Sequence, residues 1–339
     1  MKKKPQKKTA AGSYLGLDLA KDKFDAALRA AGGELQHKVF ANSAEGLKEL
    51  GRWLSAQRTG KVRCVMEATG IYWEEVTAWL HARGHTVHVL NPAQARRFAE
   101  SQLCRQKTDA VDAALLCRMA QIAVECEFHV WAPPAEEVLV LRRLSRGRAA
   151  LVDHCASLRQ QRLECREKAV KKALDAAIAT VVVQIKRLVE AMKEHVAAHP
   201  SLSEEVALLK SIDGIAFVSA AAILGELAPL PEDTGARQAV AYAGLNPRQW
   251  QSGKSVQAQS RLSKTGNARL CKALYMPALT GWQCNPLLKA FAARLLAKGK
   301  KKMQVLGALM HKLLALCCGV LKTRQSFDAS WLEPEQTSA

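Results

Sequence analysis

A chain of 339 residues, 49% hydrophobic and 24% charged, has room for two or three domains with sizeable cores and is not the composition of a disordered or fibrous protein. Fifty Lys and Arg against 31 Asp and Glu leave a formal charge of +19, which favours a polyanionic partner. Nucleic acid fits better than membrane, since no run approaches the roughly 18 apolar residues of a spanning helix.

Residues 1–12, "MKKKPQKKTAAG", carry charge with no apolar stretch behind it, so we expect a flexible basic arm rather than a secretory signal. Ten cysteines occur without one C-x-x-C pair, several of them in apolar helical context such as "LLALCCGVL". Scattered core thiols in a reducing cytoplasm are the expected reading.

Residues 13–132 alternate strand and helix patterns. "SYLGLDLA", "KFDAALRA" and "LQHKVFAN" read as a three-strand meander, followed by the amphipathic helix "SAEGLKELGRWLSAQ". The buried-type strand "VRCVMEA", the helix "IYWEEVTAWLHARG" and the strand "TVHVLNP" come next, then helices from about Pro92 and Thr108. Three strands and then α, β, α, β, α is the element order of RNase H-like, RuvC-like nucleases. The fold class expected is therefore α/β, with a helical remainder.

Four acids stand out against this frame. Asp18 lies in an apolar strand, Glu67 ends another, and Asp109 and Asp112 open a late helix capped by Thr108. Three residues apart on a helix, the last two share one face and repel. Taken singly, each has an ordinary reading as a turn residue, a cap or a dipole partner. Together, from three elements, they suit two Mg²⁺ ions, or Mn²⁺, which take oxygen ligands and leave positions for phosphate oxygens. Asp22 and Asp25 do not complete an EF-hand. His81, His85 and His88 straddle a helix–strand boundary with no neighbouring Cys or acid, which argues against zinc.

"WAPP" at 131–134 marks a break. Leu141, Leu144, Leu151, Cys155 and Leu158, then Ile178, Val182, Ile185, Val189, Met192 and Val196, form two heptad seams. Residues 135–200 are thus expected as two coiled-coil helices, pairing within one chain or between chains. Residues 201–330 are expected to form a mainly helical domain. In it, "LLKSIDGIAFVSAAAILGEL" looks like a helix-hairpin-helix, whose turn could hold a phosphate, or a purely structural αα-hairpin.

No Asp or Glu occurs from 234 to 327, a stretch carrying Arg248, Lys254, Arg261, Lys264, Arg269, Lys300, Lys301 and Lys302 among its cations. Such a surface suits phosphate contact. "SGKS" is not a P-loop, because Arg248 stands where the upstream glycine is needed. What remains there is a Ser-rich, Arg/Lys-lined loop feeding a helix.

"GLDLAKDKFD", "MEATGIYWE", "KTDAVDA", "DGIAFVSAAAILGEL", "AYAGLNPRQWQSG", "RLSKTGNARL" and "ALYMPA" follow one another in an order that resembles the DEDD-type insertion-sequence transposases of the "one-ten" family, related to the "eleven-eleven" group. The resemblance covers about residues 13–330. It implies a RuvC-like catalytic domain, a coiled-coil connection and a C-terminal transposase domain, acting on donor and target DNA. It implies a catalytic, metal-binding tetrad at Asp18, Glu67, Asp109 and Asp112. It also implies a nucleophilic serine at Ser252, joined through a 5′-phosphate to DNA. Ser255, Ser260 and Ser263 are near competitors. No His lies near Ser252, so metal held in the acidic domain of a partner subunit would activate it. The resemblance further implies a noncoding bridge RNA as guide, a homodimer assembling to a tetramer and a cytoplasmic place on the bacterial nucleoid; no membrane partner is expected. Two other readings stay open: a junction endonuclease using water as nucleophile, and a non-catalytic nucleic-acid-binding protein.

Overall fold

Alternating apolar residues place the first sheet between two helical layers. β1 (Ser13–Leu19), β2 (Lys23–Arg29), β3 (Leu35–Ala41), β4 (Val62–Glu67) and β5 (Thr86–Leu90) line up in the order β3-β2-β1-β4-β5. The meander β1–β3 is antiparallel, while β4 and β5 run parallel to β1. In this computed structural model the described residues are 12–328, apart from 69, 71, 104–107, 127, 232–233, 253–255 and 264. For 249–252 and 256–261 only the backbone is described. Residues 1–11 of the expected basic arm, with Lys254, Ser255 and Lys264, lie outside the described residues.

Two compact units divide the chain between Pro133 and Pro134. In the first, Leu15, Leu17, Leu19, Phe24, Ala26 and Leu28 face one side of the sheet. There they pack on Leu47, Leu50 and Leu54 of α1 (Ala44–Ala56) and Trp73, Val76 and Leu80 of α2 (Trp73–Ala82). Residues of the opposite parity face α4 (Asp109–Ile122), which follows α3 (Pro92–Ser101). Val65 and Leu90 meet Leu116, Met119 and Ala120 there, and Ala27 meets Ala113 and Cys117.

Gly16 sets how closely α4 approaches. A Cβ at this position would stand 2.1 Å from the Cys117 amide nitrogen and 2.2 Å from the Ala113 carbonyl oxygen. Both obstacles are helix backbone, so they cannot rotate away. We expect Gly16→Ala to cost about 3 kcal/mol, read as a lower urea midpoint. An unchanged midpoint would show that this contact does not fix α4.

The second unit is built on helices. α5 (Glu136–Glu164) and α6 (Lys168–Ala198) form an antiparallel hairpin within one chain, joined at Arg162 and Asp175 by an ion pair near its turn. At its base Leu141, Met192 and Val196 enter the core formed by the later helices. These are α7 (Pro200–Lys210), α8 (Phe217–Leu227), α9 (Ala236–Tyr242), α10 (Ala268–Cys284), α11 (Pro286–Ala297) and α12 (Lys302–Thr323). α12 is long and apolar enough to cross a membrane, a match the sequence reading missed. Val305, Leu309, Leu313, Leu314 and Cys317 of this helix are buried in the unit's core, which accounts for its composition.

One expectation changes here, and one open choice gains an observation. The Ser-rich loop is a two-stranded antiparallel hairpin, β6 (Pro247–Ser252) and β7 (Val256–Leu262), with a register shift between Arg248 and Trp250. Its polar residues hid a strand-like alternation around Trp250 and Val256. The α7–α8 turn packs inward: Gly214, at φ +103°, lies where a Cβ would come within 2.7 Å of the Gly281 amide nitrogen on α10. That close approach accounts for the turn glycine and suits the structural αα-hairpin, one of the two readings of this segment.

Candidate active site

β1, β2, β4 and α4 bring the carboxylates together. Asp18 is paired across the antiparallel ladder with Asp25 on β2. On its other side, the parallel register that aligns Leu17 with Met66 sets Asp18 beside Glu67. All three sit on the sheet face that α4 covers. Thr108 caps α4, its hydroxyl accepting from the Val111 amide at 3.3 Å, and so fixes Asp109 and Asp112 in the first turn.

Crowding leaves a signature on Asp18. Partial burial first, and then the charges of Asp112, Asp109, Glu67 and Asp25, raise its pKa to about 6. Asp109 goes the other way, its carboxyl drawn below the usual value by a hydrogen bond and charge from Lys23. The donor set is all carboxylate, which matches a hard divalent cation. Among the described residues, no three His, Cys, Asp or Glu side chains converge closely enough to hold an ion as they stand. The residue types fit such an ion; the side chains stand apart.

Sequence reading missed Lys23, Asp25 and His37. The Lys23 ammonium donates to Asp109 Oδ2 at 2.9 Å and Asp25 Oδ2 at 3.2 Å, while His37 Nε2 lies 2.8 Å from Asp25 Oδ1. The three histidines argued not to bind zinc have separate partners. His81 meets the Trp131 ring edge-on, His85 Nδ1 accepts from the Val62 amide, and His88 Nδ1 lies 2.8 Å from the His129 carbonyl oxygen.

The hairpin carrying Ser252 is clamped at its feet. The Ser263 amide donates to the Asn246 carbonyl at 2.9 Å, and the Ser263 hydroxyl donates to the Gly244 carbonyl at 3.2 Å. This serine is therefore engaged in holding the turn. Asn267 caps α10 through Oδ1 and donates from Nδ2 to Glu226 at 2.8 Å and to the Tyr242 hydroxyl at 3.1 Å. Glu226 is buried and receives a two-pronged Arg146 at 2.6 and 2.8 Å. Burial alone would raise its pKa, but Arg146, Asn267 and Arg142 outweigh that and keep it below the usual value. Removing this acid strands buried guanidinium charge, so Glu226→Ala should cost about 3 kcal/mol of stability. A denaturation midpoint at the wild-type value would contradict this account of the hairpin's footing.

Ser252 closes β6 opposite Val256, and its backbone is all that is described. Arg261 is likewise known by backbone only, on β7 opposite Arg248. Arg248, Arg269, Lys300, Lys301 and Lys302 are exposed.

Comparison with known proteins now adds the family. Residues 15–165 match a model described as "Transposase", and residues 206–293 match "Transposase IS116/IS110/IS902 family". The pilin gene-inverting proteins of Moraxella bovis and Moraxella lacunata are each 31% identical over 321 residues, covering 93% of this chain and 98% of theirs. The chain belongs to the IS116/IS110/IS902 family of transposases, enzymes of DNA recombination. A solved T. thermophilus RuvC in complex with a Holliday junction substrate aligns with 34% of this chain and 96% of its own. It does so at 12% identity and a TM-score of 0.25, too low to bear on the site.

Proposed function

We propose that this transposase cuts and rejoins donor and target DNA with a RuvC-like first unit and a serine on the second. In this reading Asp18, Glu67, Asp109 and Asp112 hold the divalent cations, and Ser252 is the nucleophile. The observation that carries it is the gathering of four carboxylates from β1, β4 and α4 on one sheet face, where burial and then their mutual repulsion raise Asp18 to about 6. The order and pairing of the five strands support the RuvC-like reading.

Mg²⁺ or Mn²⁺, two ions when loaded, would stabilise negative charge developing on the phosphate oxygens. The four acids would hold and orient those cations. Ser252 Oγ bonds to phosphorus as the bond to the neighbouring sugar oxygen breaks, its proton passing to solvent and the sugar leaving as a hydroxyl. One phosphodiester replaces another, so rejoining needs no ATP. Arg248, Lys254, Arg261, Lys264 and Arg269 would grip the phosphates nearest the serine, and Lys300–Lys302 those further along. The enzyme acts as a homodimer that assembles into a tetramer, with a noncoding bridge RNA selecting the DNA.

Strand cleavage of DNA bearing the element's ends tests this directly. Cleavage in Mg²⁺ that disappears with EDTA supports the reading; full cleavage in EDTA overturns it. Binding should weaken steeply with salt, and replacing Lys300, Lys301 and Lys302 together should lower the log–log slope by about 2–3. An unchanged slope would put the phosphate contacts elsewhere. Preference for one structured RNA over random RNA of equal length should persist at high salt, and equal loss of both would count against a guide.

A further inference from the structure

The acidic face already carries a cation of its own. Lys23 begins β2, where the Ala20 amide donates to its carbonyl at 2.9 Å and closes the turn from β1. Two residues on, Asp25 pairs with Asp18. Lys23 and Asp25 therefore share the sheet face over which α4 sets Asp109.

The lysine's two anchors are unequal. Asp25 is only 6% exposed at its side chain, and its second oxygen is held by His37 at 2.8 Å. Asp109 is 58% exposed, and Lys23 itself 49%. Breaking the exposed arm costs little, because water and salt screen such a pair. Breaking the buried arm would leave Asp25 with less compensation out of water. Asp25 thus serves as tether, and Asp109 is the carboxylate that can be released.

We propose that Lys23 is the resident counter-ion and positioning residue of the acidic site. It draws Asp109 aside in the cation-free enzyme, then yields Asp109 to an incoming divalent cation while Asp25 keeps the lysine beside the site. The proposal rests on the divalent-cation reading above. It accounts for Asp109 being held by the lysine while it shares a face with the other three acids. It also explains why a fifth, buried carboxylate stands next to them.

Mn²⁺ titration of the full-length protein without DNA, following the free-ion electron paramagnetic resonance signal, tests this apart from any activity. Lys23→Met should bind Mn²⁺ about two- to fivefold more tightly than wild type, the range of an exposed ion pair. Lys23→Gln should do the same if the methionine variant folds poorly. In an Asp109→Asn background the gain should vanish, because the lysine acts through that carboxylate. An equal gain in both backgrounds would overturn the exchange, leaving only a general field effect. No gain in either variant would make Lys23 a mere tie between β2 and α4. Wild-type protein with no saturable Mn²⁺ site would instead bring down the cation reading itself, an outcome distinct from the other two.

Discussion

Asp18→Asn should lower strand cleavage by about a thousandfold and still make the cation-free protein more stable near neutral pH. The sign follows from linkage. Asp18 holds its proton up to about 6 in the fold against an ordinary 3.8. Its contribution to stability is therefore complete below about pH 4 and lost as pH rises through about 6. Above that, the wild type carries a repelled, half-buried charge that asparagine lacks. Thermal unfolding in EDTA should rank the variant above wild type at about pH 7.5, with the two converging near about pH 4. Saturating Mg²⁺ should reverse the ranking, since the wild type alone gains the full ligand set. Glu67→Gln, Asp109→Asn and Asp112→Asn should also end cleavage. An Asp18→Asn enzyme cutting at the wild-type rate would remove the acidic face from the chemistry.

Ser252→Ala should abolish recombination and leave DNA affinity within about twofold, because one hydroxyl adds little to binding but supplies the whole covalent step. Ser252 stands at the tip end of β6, on a hairpin whose feet are fixed through Ser263, Gly244 and Asn267. Ser255→Ala should stay active. Strand cutting by Ser252→Ala at the wild-type rate, leaving free 5′-phosphate ends, would make water the nucleophile and the enzyme a junction endonuclease.

Much of the first unit could be read from residue types, because β1, β2, β4 and β5 bury one or both faces and α1, α3 and α4 carry side-chain caps. Thr108 before Asp109 and Asn91 before Pro92 start helices where their hydroxyl and amide oxygens accept backbone N–H groups. The four acids drew attention because each interrupts or ends an apolar pattern. Lys23 and His37 drew none, and Asp25 was weighed only as an EF-hand ligand, because nothing local sets Asp25 opposite Asp18 until the β1–β2 register does. Such neighbours are made by strand pairing, and no local spacing encodes them. The β6–β7 hairpin was hidden for another reason, since its period-two alternation in "VQAQSRL" is short and carried largely by Gln, Ser and Arg, with few apolar residues to mark it. The Glu226 network escaped notice likewise, its members coming from α5, α8, α9 and the start of α10.

The most direct measurement is capture of the covalent intermediate. Wild-type protein, Mg²⁺ and nicked DNA bearing the element's end should give a protein–DNA species that survives SDS. Mass spectrometry of the digested species should place the phosphodiester on Ser252, within "QSGK". EDTA, Asp18→Asn and Ser252→Ala should each eliminate the species. Cleaved DNA with free 5′-phosphates and no adduct, or an adduct that forms equally well in EDTA, would contradict the account.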